Sequence, residues 1–243
     1  MRHKLILDFG NTLKKLAVFK GNEQIEFQTS TDDVIQLIED FRRKYPELKW
    51  AILSSVINID LHLMNYLKIH FKFIHFNHET PIPVKNKYLS PQTLGHDRLA
   101  AAVGAHLLFP SENVLVIDAG SSITYELLTK KGEYLGGAIS PGLKMRALAL
   151  KQFTDQLPKV ELPTETPLVG NDTQSSIKSG VLNGMIAEIN GMIEAFMNPY
   201  SELKIILTGG DVYYFEKSLK YNIFASENLV LKGLNNIIDY NEL

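Results

Sequence analysis

Two short segments of this sequence combine residue types that suit a phosphate chain and its metal ion. The first contains, in order, Asp8, Gly10, Asn11, Thr12 and Lys15. Glycine allows close backbone approach, amide and hydroxyl groups donate to phosphate oxygens, a carboxylate holds Mg²⁺ through water, and a lysine supplies positive charge. Considered alone, the segment also fits an ordinary tight hairpin whose turn is polar.

The second segment repeats the pattern in the other half of the chain. It contains Asp118, Gly120, Ser121 and Ser122, again directly after an apolar run. Each half of the chain thus contains a strand, an Asp-x-Gly turn with hydroxyls, and a second strand. This repeat indicates two related domains that face one another across a cleft. Such paired hairpins resemble the nucleotide clamp of the actin, sugar-kinase and Hsp70 superfamily.

We therefore predict an α/β fold of two duplicated, actin-like (ribonuclease H-like) domains, residues 1–110 and 111–243, each a mixed sheet flanked by helices. The length of 243 residues accommodates two such cores. In the first domain, the apolar runs predict the element order βββαβαβ. In the second, they predict three strands, a helix after Gly142, a long helix from about Thr173, and a helix after Asp211.

Composition excludes several classes of function. The chain has no cysteine, which rules out disulfides, thiolate catalysis and cysteine zinc sites. The formal net charge of −2 gives no global attraction for nucleic acid or an anionic membrane. No signal peptide and no apolar stretch of roughly 20 residues is seen, so we expect a cytoplasmic protein that binds neither nucleic acid nor a membrane.

A further polar group stands at the start of an alanine-rich helical segment. Gly95-His96-Asp97-Arg98 opens this helix, directly after a proline-containing polar loop that carries Tyr88. An acidic residue in a first helical turn can simply interact with the helix dipole, and Arg98 can be a surface charge. The polar loop beside them equally favours a helix start that opens onto a binding cleft.

Five motifs, in matching order, resemble those of the type III pantothenate kinases. DFGNTLKK and DAGSSIT are similar to the two phosphate motifs of this family, and GHDR to its catalytic-aspartate motif. GGAISPGLKMRALAL resembles the family's glycine-proline segment, and TGGD its adenosine motif. The resemblance spans about residues 5–211. Its most specific element is GxDR between two Asp-x-Gly hairpins.

The resemblance implies a role for each matching residue. Asp97 would be the general base, Asp8 would hold Mg²⁺, and Asp118 would coordinate a monovalent cation, K⁺ or NH₄⁺. ATP and its phosphates would contact Asp8, Gly10, Asn11, Thr12, Lys15, Gly120, Ser121, Gly209 and Gly210. Pantothenate would contact Tyr88, Gly95, His96, Asp97, Arg98 and Thr173, with Thr173 reaching the site across a homodimer interface.

The implied reaction is the phosphorylation of pantothenate by ATP, the first step of coenzyme A synthesis. Three departures from the family pattern bear on it. Serines stand at Ser121 and Ser122 where threonines are commoner, and His96 replaces a small or acidic residue. Tyr125-Glu126 replaces the acidic residue that often follows the second motif. They affect the expected cation dependence more than the reaction. Two alternatives remain, a kinase of the same fold acting on another small acid or sugar, and a non-catalytic nucleotide-responsive regulator.

Overall fold

The computed structural model describes residues 1–200 and 202–242, which form two compact units. The first comprises Met1–Pro110, Gly132–Tyr134 and Asn228–Leu243, and the second comprises Ser111–Lys131 and Leu135–Glu227. The longest segment of the first unit ends at Pro110. The C-terminal segment also packs with the first unit.

A five-stranded mixed sheet forms the centre of the first unit, in the order β3-β2-β1-β4-β5. The first three strands form an antiparallel meander, whereas β4 and β5 run parallel to β1. The strands are β1 (His3–Phe9), β2 (Lys14–Lys20), β3 (Glu23–Ser30), β4 (Leu48–Ser55) and β5 (Lys72–His75). Helices α1 (Ile35–Lys44) and α2 (Leu61–His70) complete the predicted order βββαβαβ, which is confirmed.

Alternation along β1 separates a largely apolar face from a face that carries polar groups. Leu5, Leu7 and Phe9 pack into one core with the buried residues of α1 and α2. Side chains at alternate positions point to the opposite face, where Asp8 lies. Helices α3 (His96–Leu108) and α6 (Leu229–Asn241) pack on each other and against β4 and β1.

Close backbone contact joins α3 to α6. A Cβ at residue 233 would stand 1.9 Å from the carbonyl oxygen of Ala100, and one at residue 104 would stand 2.6 Å from that of Leu229. Only glycine fits both positions. Buried Lys4 of β1 adds an ion pair, its Nζ lying 2.6 Å from Oδ1 of Asp239 on α6. These contacts hold the C-terminal helix in the first unit.

A second mixed sheet has the strand order β11-β10-β7-β8-β9-β6. Strands β7 and β8 form an antiparallel hairpin, and β10 runs parallel to β7 on its other side. Strand β6 pairs only with the first two residues of β9, and these four residues all belong to the first unit. The strands are β6 (Lys85–Asn86), β7 (Asn113–Ala119), β8 (Ser122–Leu128), β9 (Glu133–Pro141), β10 (Leu203–Thr208) and β11 (Phe224–Ala225).

Helices α4 (Leu143–Gln152) and α5 (Thr173–Met197) cover the second unit's core. Ile177, Met185 and Ile193 of α5 are buried in that core. On the opposite side Gly180, Gly184 and Gly191 are exposed, with no atom within 4 Å of an added Cβ. These glycines therefore touch no other backbone within the described chain.

The predicted α/β class with mixed sheets flanked by helices is confirmed. Two local predictions are wrong. The segment after Asp211 forms only a short 3₁₀ turn, Val212–Tyr214, and the loop before α3 contains strand β6 and a second 3₁₀ turn, Pro91–Thr93. Among the described residues, no helix combines the length and apolar character needed to cross a bilayer.

Candidate active site

The turn between β1 and β2 places a carboxylate and a lysine side by side. Asp8 and Lys15 are directly opposite residues of the antiparallel pair, so their side chains leave the same face of the sheet. Oδ2 of Asp8 lies 4.0 Å from Nζ of Lys15. Gly10 closes the turn by donating its N–H to the carbonyl of Leu13 at 3.1 Å.

The remaining predicted residues of this hairpin, Asn11 and Thr12, are exposed in the turn. The neighbouring Lys14 serves another purpose, because its Nζ donates to the carbonyl of Asp32 at 2.7 Å and lies 5.6 Å from the Phe9 ring centroid. The residues predicted to bind phosphate therefore lie in one hairpin: Asp8, Gly10, Asn11, Thr12 and Lys15.

Asp8 is suited to a hydrated Mg²⁺ ion. The residue is only 6% exposed and is aligned in the parallel register with Ser54 of β4. The buried Oγ of Ser54 has no hydrogen-bond partner among the described residues. Those residues also contain no group of three His, Asp or Glu side chains able to form a protein-only metal site. A single carboxylate is what Mg²⁺ commonly uses when water and substrate phosphates supply its other ligands.

The start of α3 holds Asp97 beside the helix N-terminus. Oδ1 of Asp97 accepts a hydrogen bond from the backbone N–H of Arg98 at 2.8 Å. A Cβ at residue 95 would stand 2.6 Å from the same oxygen, so Gly95 leaves space for the carboxylate. The partial positive charge of the helix N-terminus attracts an anionic group at this position.

Arg98 and Tyr88 form one aromatic-cationic cluster in the first unit. The guanidinium carbon of Arg98 lies 5.7 Å from the Tyr88 ring centroid, and the Tyr88 ring stacks on Tyr134 at 6.4 Å. Arg98 is 7% exposed. The backbone N–H of Tyr88 donates to Oδ1 of Asn86 at 2.9 Å, which constrains the backbone directly after β6.

His96 is the first residue of α3 and packs near an aromatic ring. Its ring is 5.6 Å from the ring of Phe76. Burial lowers the pKa of nearby His75, and the charges of His96 and Lys68 lower it further. His96 therefore contacts an aromatic side chain that follows β5.

In the second unit, the turn after β7 is also a hairpin that carries an Asp-x-Gly sequence, but it is shorter than the turn between β1 and β2. Asp118 pairs with Thr124 across the antiparallel ladder, and Gly120 donates its N–H to the carbonyl of Ser122 at 3.1 Å. Ser121 is exposed in the turn. A Cβ on Gly142 would stand 2.3 Å from the Ser121 carbonyl oxygen, so the glycine-proline segment packs directly on this hairpin.

The glycine pair after β10 lies against the same hairpin. Gly209 has a φ of 101°, and the backbone N–H of Asp211 donates to the carbonyl of Ala119 at 2.9 Å. Burial raises the pKa of Asp211, and the positive charge of Lys144 partly opposes this. Gly210 is exposed, with open space around its Cα. Asp118, Gly120, Ser121, Gly209 and Gly210 are thus grouped in one place.

Thr173 is exposed as the first residue of α5, apart from these groups. A reciprocal capping box between Asp172 and Ser175 stabilises the helix start. The hydrogen bond from the Ser175 backbone N–H lowers the pKa of Asp172. A groove of about 590 Å³ passes Thr173 and is also lined by Leu150, Leu157 and Ile177.

Sequence reasoning missed three residues around the second hairpin: Arg146, Glu188 and Asp211. Arg146 lies within the segment GGAISPGLKMRALAL, which was a usable signal for its importance. Glu188 had no comparable signal, since it meets Arg146 only after α4 and α5 have packed together. Asp211 belongs to the recognised TGGD motif, but its burial was not predictable.

Comparisons with known proteins agree with the motif interpretation. The family model of type III pantothenate kinase matches residues 4–195. The type III pantothenate kinase of Phocaeicola vulgatus is 45% identical over 239 residues, covering 98% of each chain. The protein of the same description from Christiangramia forsetii is 42% identical, also over 98% of each chain.

Solved structures with similar folds have lower sequence identity. A Campylobacter jejuni protein described as a member of the Baf family of transcriptional activators gives a TM-score of 0.63 at 24% identity, covering 98% of each chain. Component A of the (R)-2-hydroxyglutaryl-CoA dehydratase of Acidaminococcus fermentans gives a TM-score of 0.58 at 14% identity, covering 99% of this chain and 97% of its own. These similarities concern the fold alone.

Proposed function

Because the chain belongs to the type III pantothenate kinase family, we propose that it transfers the γ-phosphoryl group of ATP to the 4′-hydroxyl of pantothenate. This reaction is the first step of coenzyme A synthesis. The observation that carries the proposal is the arrangement at the α3 start, where Asp97 precedes an Arg98 that stacks on Tyr88. A carboxylate base and a cation for the substrate's own carboxylate lie next to each other there.

Asp97 acts as general base in this mechanism. Its carboxylate takes the proton of the 4′-hydroxyl while the hydroxyl oxygen forms a bond to the γ-phosphorus. The bond between the γ-phosphorus and the β,γ-bridging oxygen breaks, and ADP leaves with that electron pair. Arg98 binds the pantothenate carboxylate, for which a guanidinium offers paired donors. Tyr88, Gly95 and His96 frame the substrate.

The first-unit hairpin binds the phosphate chain. Asp8 would hold Mg²⁺ through water, and Lys15 would neutralise phosphate charge beside it. Gly10, Asn11 and Thr12 supply close backbone approach and polar donors in the turn. Held at Asp8, Mg²⁺ would supply positive charge against the negative charge that develops during transfer.

The second unit contributes a second set of nucleotide contacts. Gly120 and Ser121 bind ATP at the β7–β8 turn, and Gly209 and Gly210 offer bare backbone to the adenosine. Asp118 would hold a monovalent cation, K⁺ or NH₄⁺. Such an ion would reduce the repulsion between the Asp118 carboxylate and the phosphates of bound ATP.

Alignment contributes more to this reaction than base catalysis does. Holding the reactants in line can contribute ~7–11 kcal/mol. A general base contributes about 10²–10⁴ in rate, or ~3–5 kcal/mol. A protein that lost the Asp97 carboxylate would therefore still bind both substrates.

The protein is proposed to be a cytoplasmic homodimer in which Thr173 completes the partner's substrate site. Thr173 is exposed at a capped helix start, and the exposed glycines of α5 would let a second helix approach closely. Exposed large apolar side chains of the second unit add to a surface that a second copy could cover: Ile139, Met145, Leu148, Phe153, Leu168 and Val169.

A kinase assay with a panel of acceptors tests the proposed function. Purified protein is supplied with Mg–ATP and with pantothenate, acetate-type acids or glucose-type sugars, each in K⁺, NH₄⁺, Na⁺ or Tris buffer. We expect turnover of pantothenate alone, with higher rates in K⁺ or NH₄⁺. Turnover of another acceptor instead would assign a different substrate, and full activity in Na⁺ or Tris would reject the cation role of Asp118.

A further inference from the structure

One arginine fixes the turn that joins β9 to α4. Arg146, in the second turn of α4, folds back toward the residues before its own helix. Its Nε donates to the carbonyl oxygen of Pro141 at 2.8 Å, and its Nη2 donates to Oγ of Ser140 at 2.9 Å. A planar guanidinium can satisfy several acceptors at once in fixed directions, so these contacts define both the position and the orientation of the turn.

A carboxylate of α5 holds that arginine in place. Nη2 of Arg146 donates to Oε2 of Glu188 at 2.5 Å, and the Tyr125 hydroxyl donates to Oε1 of Glu188 at 3.4 Å. Burial raises the pKa of the Tyr125 hydroxyl, and Glu188 raises it further, so this donor keeps its proton. The two charged side chains are 22% and 27% exposed. An ion pair exposed to this degree contributes little to stability, so its main effect is on geometry.

The turn held by Arg146 is packed tightly against the second phosphate hairpin. A Cβ at residue 142 would stand 2.5 Å from the Gly120 carbonyl oxygen and 2.3 Å from that of Ser121. A Cβ at residue 137 would stand 1.6 Å from the Tyr125 carbonyl oxygen. Such close packing transmits a displacement from one segment to the next. A shift of Pro141 therefore displaces Gly142 and the hairpin that it contacts.

We propose that Arg146 and Glu188 are positioning residues for the hairpin at Gly120 and Ser121. Glu188 orients the guanidinium of Arg146, and the guanidinium fixes Ser140 and Pro141. Gly142, which follows Pro141, then holds the hairpin through its close contact with the hairpin backbone. Neither charged side chain needs to touch the nucleotide. The inference rests on the proposed function, in which that hairpin binds ATP.

Glu188→Gln is the main test, because it keeps the side-chain shape and removes the charge that holds Arg146. We expect Mg–ATP affinity, measured by calorimetry, to fall about tenfold, in keeping with the cost of a small misplacement at an active site. The KM for pantothenate should stay within about twofold of the unchanged protein. The matched control is Glu194→Gln, the same charge change at an exposed position of the same helix. This control should change neither the Mg–ATP affinity nor the KM for pantothenate.

A double-mutant cycle tests whether the two residues act in series. Arg146→Gln should lower Mg–ATP affinity at least as much as Glu188→Gln, and the double variant should be no worse than Arg146→Gln alone. Arg146→Lys should recover only part of the loss, because an ammonium group lacks the fixed fork that reaches two acceptors. If the loss of Mg–ATP affinity in the double variant equals the product of the two single losses, the serial arrangement is overturned.

Thermal unfolding of each variant separates positioning from general damage. Unchanged Mg–ATP affinity in folded Glu188→Gln, or equal losses for ATP and pantothenate, would overturn the proposal. If Glu188→Gln does not fold, Ser140→Ala replaces it, since only one acceptor of Arg146 is removed; unchanged affinity there would overturn the proposal equally. A parent protein that binds no Mg–ATP or phosphorylates no pantothenate would instead refute the proposed function.

Discussion

The backbone of Gly209 lies directly against the carboxylate of Asp118. A Cβ at residue 209 would stand 2.6 Å from Oδ1 of Asp118 and 2.3 Å from the carbonyl oxygen of Ala119. The contact follows from topology, because β10 runs parallel to β7 with Thr208 aligned to Asp118. The glycine pair and the second phosphate hairpin are therefore one interlocked structure.

Gly209→Ala should destabilise the protein and weaken Mg–ATP binding. The new methyl group collides with backbone, and the φ of 101° is a conformation that L side chains rarely adopt. We expect a loss of at least about 1–3 kcal/mol in the free energy of unfolding. The control is Gly210→Ala, where no atom lies within 4 Å of the added Cβ. Equal stability of the two variants in denaturant unfolding would contradict the described packing.

Asp211→Asn should stabilise the protein at neutral pH. Burial raises the folded-state pKa of this carboxyl above its ordinary 3.8. Between those two values the folded chain binds more protons than the unfolded chain, so stability falls as pH rises through this window. Above this pH window, the ionised carboxylate of Asp211 destabilises the folded parent protein, whereas the uncharged amide of Asp211→Asn does not. We expect a higher Tm than the parent's near pH 7.

The same measurement at lower pH provides the control for Asp211. Well below pH 3.8 the carboxyl is protonated in both the folded and the unfolded chain, so the two Tm values should converge. A variant that is less stable at neutral pH would show that the charge is favourable where it lies. If the ionised Asp211 destabilises the folded protein, a role in ligand binding would account for its presence. Calorimetry would then show weaker Mg–ATP binding by Asp211→Asn than by the parent.

The local motifs of this protein were predictable because each is encoded in a few adjacent residues. Asp8 and Gly10 follow an apolar run and precede another, which is sufficient to indicate a hairpin with a polar turn. The long helix predicted from about Thr173 likewise begins at an Asp172 cap, whose partner Ser175 is only three residues away. Such features depend on local backbone geometry and hardly on the rest of the chain.

Long-range contacts account for what the sequence did not reveal. Strand β6 exists because Lys85 and Asn86 pair with Glu133 and Tyr134, far along the chain. Helix α6 joins the first unit through Gly233, whose contact with α3 has no signature in neighbouring residues. The exposure of the α5 glycines also depended on which face of that helix meets the core. In each case tertiary packing decided the outcome.

Tyr88→Leu should raise the KM for pantothenate more than Tyr88→Phe does. Phenylalanine keeps a ring beside the Arg98 guanidinium, whereas leucine removes the cation–π contact seen at 5.7 Å. The loss of that contact is worth ~0.5–2 kcal/mol, which corresponds to a KM change of about two- to thirtyfold. Steady-state kinetics at saturating Mg–ATP provide the comparison. A larger effect from Tyr88→Phe would assign the main role to the hydroxyl group.

Mixed subunits should restore activity if Thr173 completes a partner's site. Asp97→Asn and Thr173→Arg are each expected to be inactive alone. In a mixed dimer, one site combines an unchanged Asp97 with an unchanged Thr173, so activity should return under exchange conditions. The control is Gln174→Arg, a charge added at the exposed neighbouring position. No recovery despite proven subunit exchange, or full activity from a monomer, would refute the shared site.

The most direct test of pantothenate phosphorylation is mass spectrometry of the product formed by the parent protein and by Asp97→Asn under identical conditions. The parent should convert pantothenate and ATP to 4′-phosphopantothenate and ADP. Asp97→Asn should lose about 10²–10⁴ in turnover while calorimetry shows that both substrates still bind. Exposed Asp155→Asn serves as the control for the charge change. No phosphorylated pantothenate from the folded parent protein, or unchanged turnover by Asp97→Asn, would contradict this account.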